Sequence, residues 1–153
     1  MCGPLLYTHF AHYQGRVAAA NMFAGTPVRA DYRVVPRVTF TEPPIAGVGL
    51  TEEQARATGR DVRCALVEVA TLGKALVESE AKGQVKLVAD ADSGEILGGH
   101  IASAAAGEMI HEVVAAMAAH ATVRDLAEAI HAFPNFAEGI KAAAKVWMAA
   151  RQD

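Results

Sequence analysis

His131 and Glu138 stand seven positions apart in the stretch HAFPNFAEG, and their types suit proton transfer. An imidazole titrates near neutral pH and a carboxylate can orient it, which is the make-up of many acid/base pairs. The same residues have a plainer use. Asn135 as a helix cap, with Glu138 three residues on, forms a capping-box-like pair whose carboxylate sits at the positive end of the helix dipole. His131 would then end the preceding helix, where a cation is favoured. Taken alone, local physics favours structure over catalysis.

A second constellation has metal-ligand spacing. Glu108-Met-Ile-His111 and Glu128-Ala-Ile-His131 are both Glu-x-x-His, which places each pair on one helical face as in di-iron carboxylate bundles. The alternative reading is thus an independent di-iron-type enzyme using Glu108, His111, Glu128 and His131. That chemistry needs a carboxylate from each of two further helices, and the part of the chain that should supply them is strand-like. His9 and His12 have the same i,i+3 spacing and no further ligands in view. The expectation is no metal site.

Composition sets the frame for these residues. At 153 residues, with 52% hydrophobic and 20% charged side chains, the chain has the material for one folded core. A net charge of -3 argues against nucleic acid, whose phosphates need clustered Lys and Arg. No apolar run approaches the ~20 residues that span a bilayer, and the N-terminus lacks a signal-like pattern, so no membrane association is expected. Cys2 and Cys64 form neither a CxxC motif nor a disulfide framework. A cytoplasmic location follows as the expectation.

The elements that would position the candidates can be read in order. Thr8 to Phe23 is an alanine-rich helix ended by Gly25 and Pro27. VTFTEPPIAGVGL reads as short strands around a turn, and Thr51 with Gln54 as a capping box opening a short helix. VRCALVEV, KALVES, QVKLVA and EILGGHIAS read as four strands of an antiparallel meander. The period then changes. Met109, Ile110, Val113, Val114 and Met117 mark a helix from about Ala104 to His120, Thr122 caps a shorter one carrying Val123, Leu126 and Ile130, and Asn135 opens the last. The result is an α+β fold, an antiparallel sheet with helices packed on it.

Four stretches carry a resemblance: GPLLYTHFAHYQGRVAAANMFAG, VVPRVTFTEPPIAGVGLTEEQA, KGQVKLVADADSGEILGGHIASAAAGEMIHE and IHAFPNFAEGIKAA. In this order they resemble the C-terminal part of the FAD-dependent pyridine nucleotide-disulfide oxidoreductases, over nearly the whole chain. By that resemblance residues 1–25 are a remnant of the FAD-binding domain, 26–33 a linker and 34–153 the dimerisation domain. Leu6, Tyr7 and Thr8, at a helix start whose free N–H groups favour partial negative charge, would approach the flavin. A backbone carbonyl in the Phe133–Glu138 segment would approach the flavin of the partner in a homodimer.

The departures from the family are equally specific. In the family an acid/base histidine precedes the proline and a glutamate four residues beyond orients it. Here Pro134 and Glu138 match, but Phe133 stands in the histidine's place, and phenylalanine carries no proton. His131 matches a second histidine found two residues earlier in some members, which leaves it a weak substitute base. Tyrosine or phenylalanine at this place resembles the mercuric-reductase-like branch. Neither a Gly-x-Gly-x-x-Gly fingerprint nor the redox cysteine pair is present. The expectation is a dimerisation domain whose FAD and NAD(P)H belong to a parent enzyme and whose missing domains are its partners. The isolated chain is expected to be inactive, colourless and without cofactor, its interface formed by the last two helices including Phe136 and Trp147.

Overall fold

The computed structural model describes residues 5–150 and divides into two compact units, one up to Val35 and one from Pro36 onward. In the first, helix α1 (Thr8–Phe23) is followed by an extended run held back along it. The Asn21 side chain makes a reciprocal pair with the backbone of Val28, at 2.9 and 2.8 Å, as a strand neighbour would. The backbone N–H of Asp31 donates to the Tyr13 hydroxyl at 2.9 Å, and Phe10 packs edge-on to Tyr32.

The second unit is built on five strands: β1 (Arg37–Thr39), β2 (Ile45–Gly49), β3 (Val62–Glu68), β4 (Gln84–Asp90) and β5 (Ile96–Ala102). All pairings are antiparallel and the spatial order is β1-β2-β5-β4-β3, so β3 to β5 form the expected meander and β2 joins its far edge. Alternation along each strand gives the sheet two different faces. One row, Ala65, Leu87, Gly99 and Val48, lies in register across four strands on the face that carries the core. The neighbouring row, Leu66, Lys86, His100, Gly47 and Arg37, lies on the other face.

Helices α4 (Ala106–Ala118) and α6 (Glu138–Ala149) cover the core face. In α4 the buried residues Met109, Ile110, Val113 and Met117 recur at helical spacing, as read from the sequence. The helix stops where His120 takes a left-handed φ of 56°. Close approach is allowed by two glycines: a β-carbon at Gly99 would stand 2.9 Å from Val113, and one at Gly139 would stand 2.9 Å from Val85. Helix α5 (Val123–Glu128) packs beside α6, its first turn held by the Asp125 carboxylate, which accepts from the N–H and hydroxyl of Thr122.

Helix α2 (Glu52–Ala57) lies on the opposite face, opened by the capping box of Thr51 and Gln54. Its Ala55 joins Val62, Val88 and Leu97 in a small apolar cluster against which Leu50 and Cys64 pack. Burial pushes the Cys64 thiol up to about 11, which makes it an inert filler. On the same face His100 donates from Nε2 to the Leu50 carbonyl at 3.0 Å, and burial lowers its pKa.

Three expectations are corrected here. KALVES is not a strand: Gly73–Glu78 is helix α3, ended by Ser79 with φ 59° and braced by a Lys74–Glu78 pair at 2.5 Å. A short apolar run suits either state, and this one lies in the β3–β4 connection, where β4 already pairs with β3 along its length. Nor do Phe136 and Trp147 face outward. They are 8% and 1% exposed, and Trp147 is fixed by its Nε1 donating to Arg63 O at 3.0 Å and by the Arg63 guanidinium 4.9 Å above its ring. Ile130, read as part of an apolar helix face, lies beyond α5 and is 97% exposed.

Two measurements test this account. Trp147→Ala should remove about 3–5 kcal/mol of unfolding free energy at protein concentrations low enough to exclude association, read as a fall in denaturant midpoint. Glu52 accepts from Lys86 at 2.6 Å and Arg56 at 3.0 Å, and these donors hold its carboxyl at about 2, below an ordinary value of 4.5. Its folded pKa lies below the unfolded one, so its stabilisation is complete above about 4.5 and is lost as pH falls toward about 2. Glu52→Gln should therefore flatten the acid limb of melting temperature against pH in that window. A residual slope should remain from Asp90 and Asp125, which hydrogen bonds from Ser93 and Thr122 also hold low.

Candidate functional site

The segment from Ala129 to Glu138 connects α5 to α6, and its polar groups are tied to three helices. At its start the Ala129 carbonyl, left over at the end of α5, accepts from His131 Nδ1 at 3.2 Å and Lys141 Nζ at 2.5 Å. His131 thus sits where a cation at a helix end was expected. Its other nitrogen, Nε2, lies 2.9 Å from Glu112 Oε1 on α4. With a carbonyl on one nitrogen and a carboxylate on the other, and a side chain only 9% exposed, the ring faces acceptors on both sides.

Glu138 is engaged elsewhere. Its carboxylate accepts the Asn135 N–H at 3.1 Å, while its own N–H donates to Asn135 Oδ1 at 3.1 Å. The reciprocal pair read from the sequence is present, but it closes the turn before α6: the helix begins at Glu138 with Ala137 at the N-cap, so Asn135 does not open it. The Asn135 amide also donates to the Ala132 carbonyl. The acid/base candidates are therefore brought into one segment without being partnered to each other. The carboxylate beside His131 belongs to Glu112 on α4, which was not singled out in the sequence. Its signal was weak, since the second of two glutamates on an amphipathic helix has nothing to mark it.

Between the two ties stand Ala132, Phe133 and Pro134, with a cis peptide between Phe133 and Pro134. Phe133 is 79% exposed, its ring edge close to Gly73 at the start of α3. Beside it opens a cleft of about 390 Å³ between α3 and α6, lined by Thr71, Gly73, His131, Glu138, Lys141 and Lys145 among others.

The remaining candidates lie apart. Glu108, His111 and Glu128 are exposed, and no group of three His, Cys, Asp or Glu residues among the described residues is arranged to hold a metal ion. His9 stacks on Tyr7. At the start of α1, Leu6 is exposed, Tyr7 is the N-cap with no side-chain bond to the helix, and the first turn from Thr8 holds no acidic residue. Those N–H groups suit an electron-rich ring atom of a flavin as one contact.

The pyridine nucleotide-disulphide oxidoreductase dimerisation domain family matches residues 35–144. The chain belongs to that family. The dimerisation domain and its preceding helix are 41% identical to a mercuric reductase of Lysinibacillus sphaericus, over 90% of this chain and 25% of that protein. They are 40% identical to the dihydrolipoyl dehydrogenase of Bacillus subtilis, over 94% of this chain and 30% of that one. Among solved structures, the HOCl-induced flavoprotein disulfide reductase RclA from Escherichia coli superposes with a TM-score of 0.87 at 28% identity, covering 94% of this chain and 33% of that one. The chain thus spans about a quarter to a third of these relatives. The α+β antiparallel architecture expected of the family is the one found, and nothing in the comparisons supports a di-iron enzyme.

Glu138→Ala removes one half of the capping pair, and the expected cost is about 0.5–2 kcal/mol, the range for lost helix caps. Denaturant unfolding of the purified chain measures it, and Asn135→Ala in the same background should add little, because both changes break one pair.

Proposed function

We propose that the chain is the self-associating module of a flavin- and NAD(P)H-dependent oxidoreductase of the mercuric reductase or disulfide reductase kind, pairing as a homodimer. The exposure of Phe133 carries this reading. An aromatic ring four-fifths in water, on a turn whose polar groups are otherwise tied down, is a preformed contact. Ile130 in the same segment and Leu76 and Val77 on α3 are also exposed. Together they replace Phe136 and Trp147 as the interface candidates, and a two-fold pairing would use the same patch on both subunits.

In such an enzyme the Phe133–Glu138 segment meets the partner's flavin through its backbone, and Leu6, Tyr7 and Thr8 meet the flavin of their own subunit. FAD, when bound, supplies the electron transfer. The role of this chain's residues is to fix backbone geometry and exclude water. Phe133 offers no proton, and Glu138 serves as a cap, so proton handling falls to other groups. The FAD- and NAD(P)H-binding domains are the proposed partners, and the cytoplasm is the proposed location. No helix among the described residues is long and apolar enough to cross a membrane.

Sedimentation velocity tests the surface. The purified chain should sediment as a dimer, and Phe133→Asp or Ile130→Asp should shift it to monomer while leaving the circular dichroism spectrum unchanged. If both variants remain dimers, the contact lies on another face.

A further inference from the structure

The two acid/base candidates, His131 and Glu138, both hold the backbone of the segment. The His131 ring is 9% exposed and its nitrogens face Glu112 Oε1 at 2.9 Å and the Ala129 carbonyl at 3.2 Å. Both nitrogens therefore face acceptors of the protein itself, one a main-chain oxygen and one a carboxylate. Glu138 holds the other end of the segment through Asn135. Phe133 stands between these anchors, one on α4 and one on α6, and is the exposed large hydrophobic side chain that they flank.

We propose that His131 and Glu112 form a clamp that positions Phe133 for the partner subunit, so that His131 acts as a positioning residue and not as a substitute base. A contact residue held in its bound geometry before association loses less freedom on binding, which is how a clamp remote from the interface strengthens it. An N–H at His131 Nε2 donating to the Glu112 carboxylate is a charge-assisted hydrogen bond, the stronger kind. Lys141, Glu138 and the Ala129 carbonyl are the other polar groups packed about the ring and its anchor. The inference rests on the reading of the chain as a self-associating module.

The test is a double-mutant cycle on the purified chain, with self-association measured by sedimentation equilibrium. His131→Ala and Glu112→Ala should each weaken association about tenfold, the scale of one charge-assisted hydrogen bond. The double variant should be no weaker than either single one, and His131→Gln, whose amide can still donate to Glu112, should recover most of the loss. Unchanged association in both alanine variants, or full additivity in the double variant, overturns the clamp. So does a His131→Gln variant as weak as His131→Ala, since the imidazole would then act on the partner directly.

A wild-type chain that is monomeric at every concentration would instead overturn the proposed function. The clamp is then read from amide hydrogen exchange: Glu112→Ala should speed exchange at Asn135 and Glu138 while β4 and β5 stay protected. Unchanged exchange at those two amides overturns it.

Discussion

Helix α6 lies on the sheet at a separation that Gly139 permits and that a larger residue would prevent, since a β-carbon there would stand 2.9 Å from Val85 and 3.1 Å from Leu72. Much else follows from that seating. It buries Ile140, Ala143, Ala144 and Trp147, and it fixes the line along which Glu138, Lys141 and Lys145 emerge. Because Glu138 cannot move, Asn135 and the turn before it are placed. Because Lys141 cannot move, the end of α5 is tied down as well. The candidate site is therefore a consequence of core packing, with little independent structure of its own.

Where one period or one pair decides an element, the sequence was informative. The spacing of Met109, Ile110, Val113 and Met117 located α4 within two residues at each end, Thr51 with Gln54 forms the capping box its spacing implies, and Asn135 with Glu138 bond reciprocally one turn ahead of α6. The failures share a cause, which is that burial depends on partners remote in sequence. Nothing near Lys74 or Val77 says that β4 will already have claimed β3, so the run passed for a strand. Trp147 and Phe136 looked like an unpartnered apolar face until the sheet and Arg63 were placed against them. Glu112 was invisible as a partner of His131 because nineteen positions separate them along the chain.

Chemically, the segment separates functions that a single histidine–glutamate dyad would combine. Orientation of the backbone is retained through Glu138 and Asn135, and through His131 with Glu112 on α4. The position immediately before Pro134 holds a hydrocarbon ring, which adds contact area and no acidity. Family membership rests on the match over residues 35–144, and the chain spans 25–30% of the mercuric reductase and dihydrolipoyl dehydrogenase it resembles.

The acceptor shared by His131 and Lys141 is a main-chain oxygen, and that has a consequence for how the site can diverge. Substituting the side chain at position 129 leaves that oxygen in place, so the anchor survives sequence drift at its own position. Change must come through the donors, which are contributed from the loop and from α6 and can be exchanged one at a time. A frame built this way can change the residues of its loop while the main-chain oxygen that anchors it stays where α5 ends.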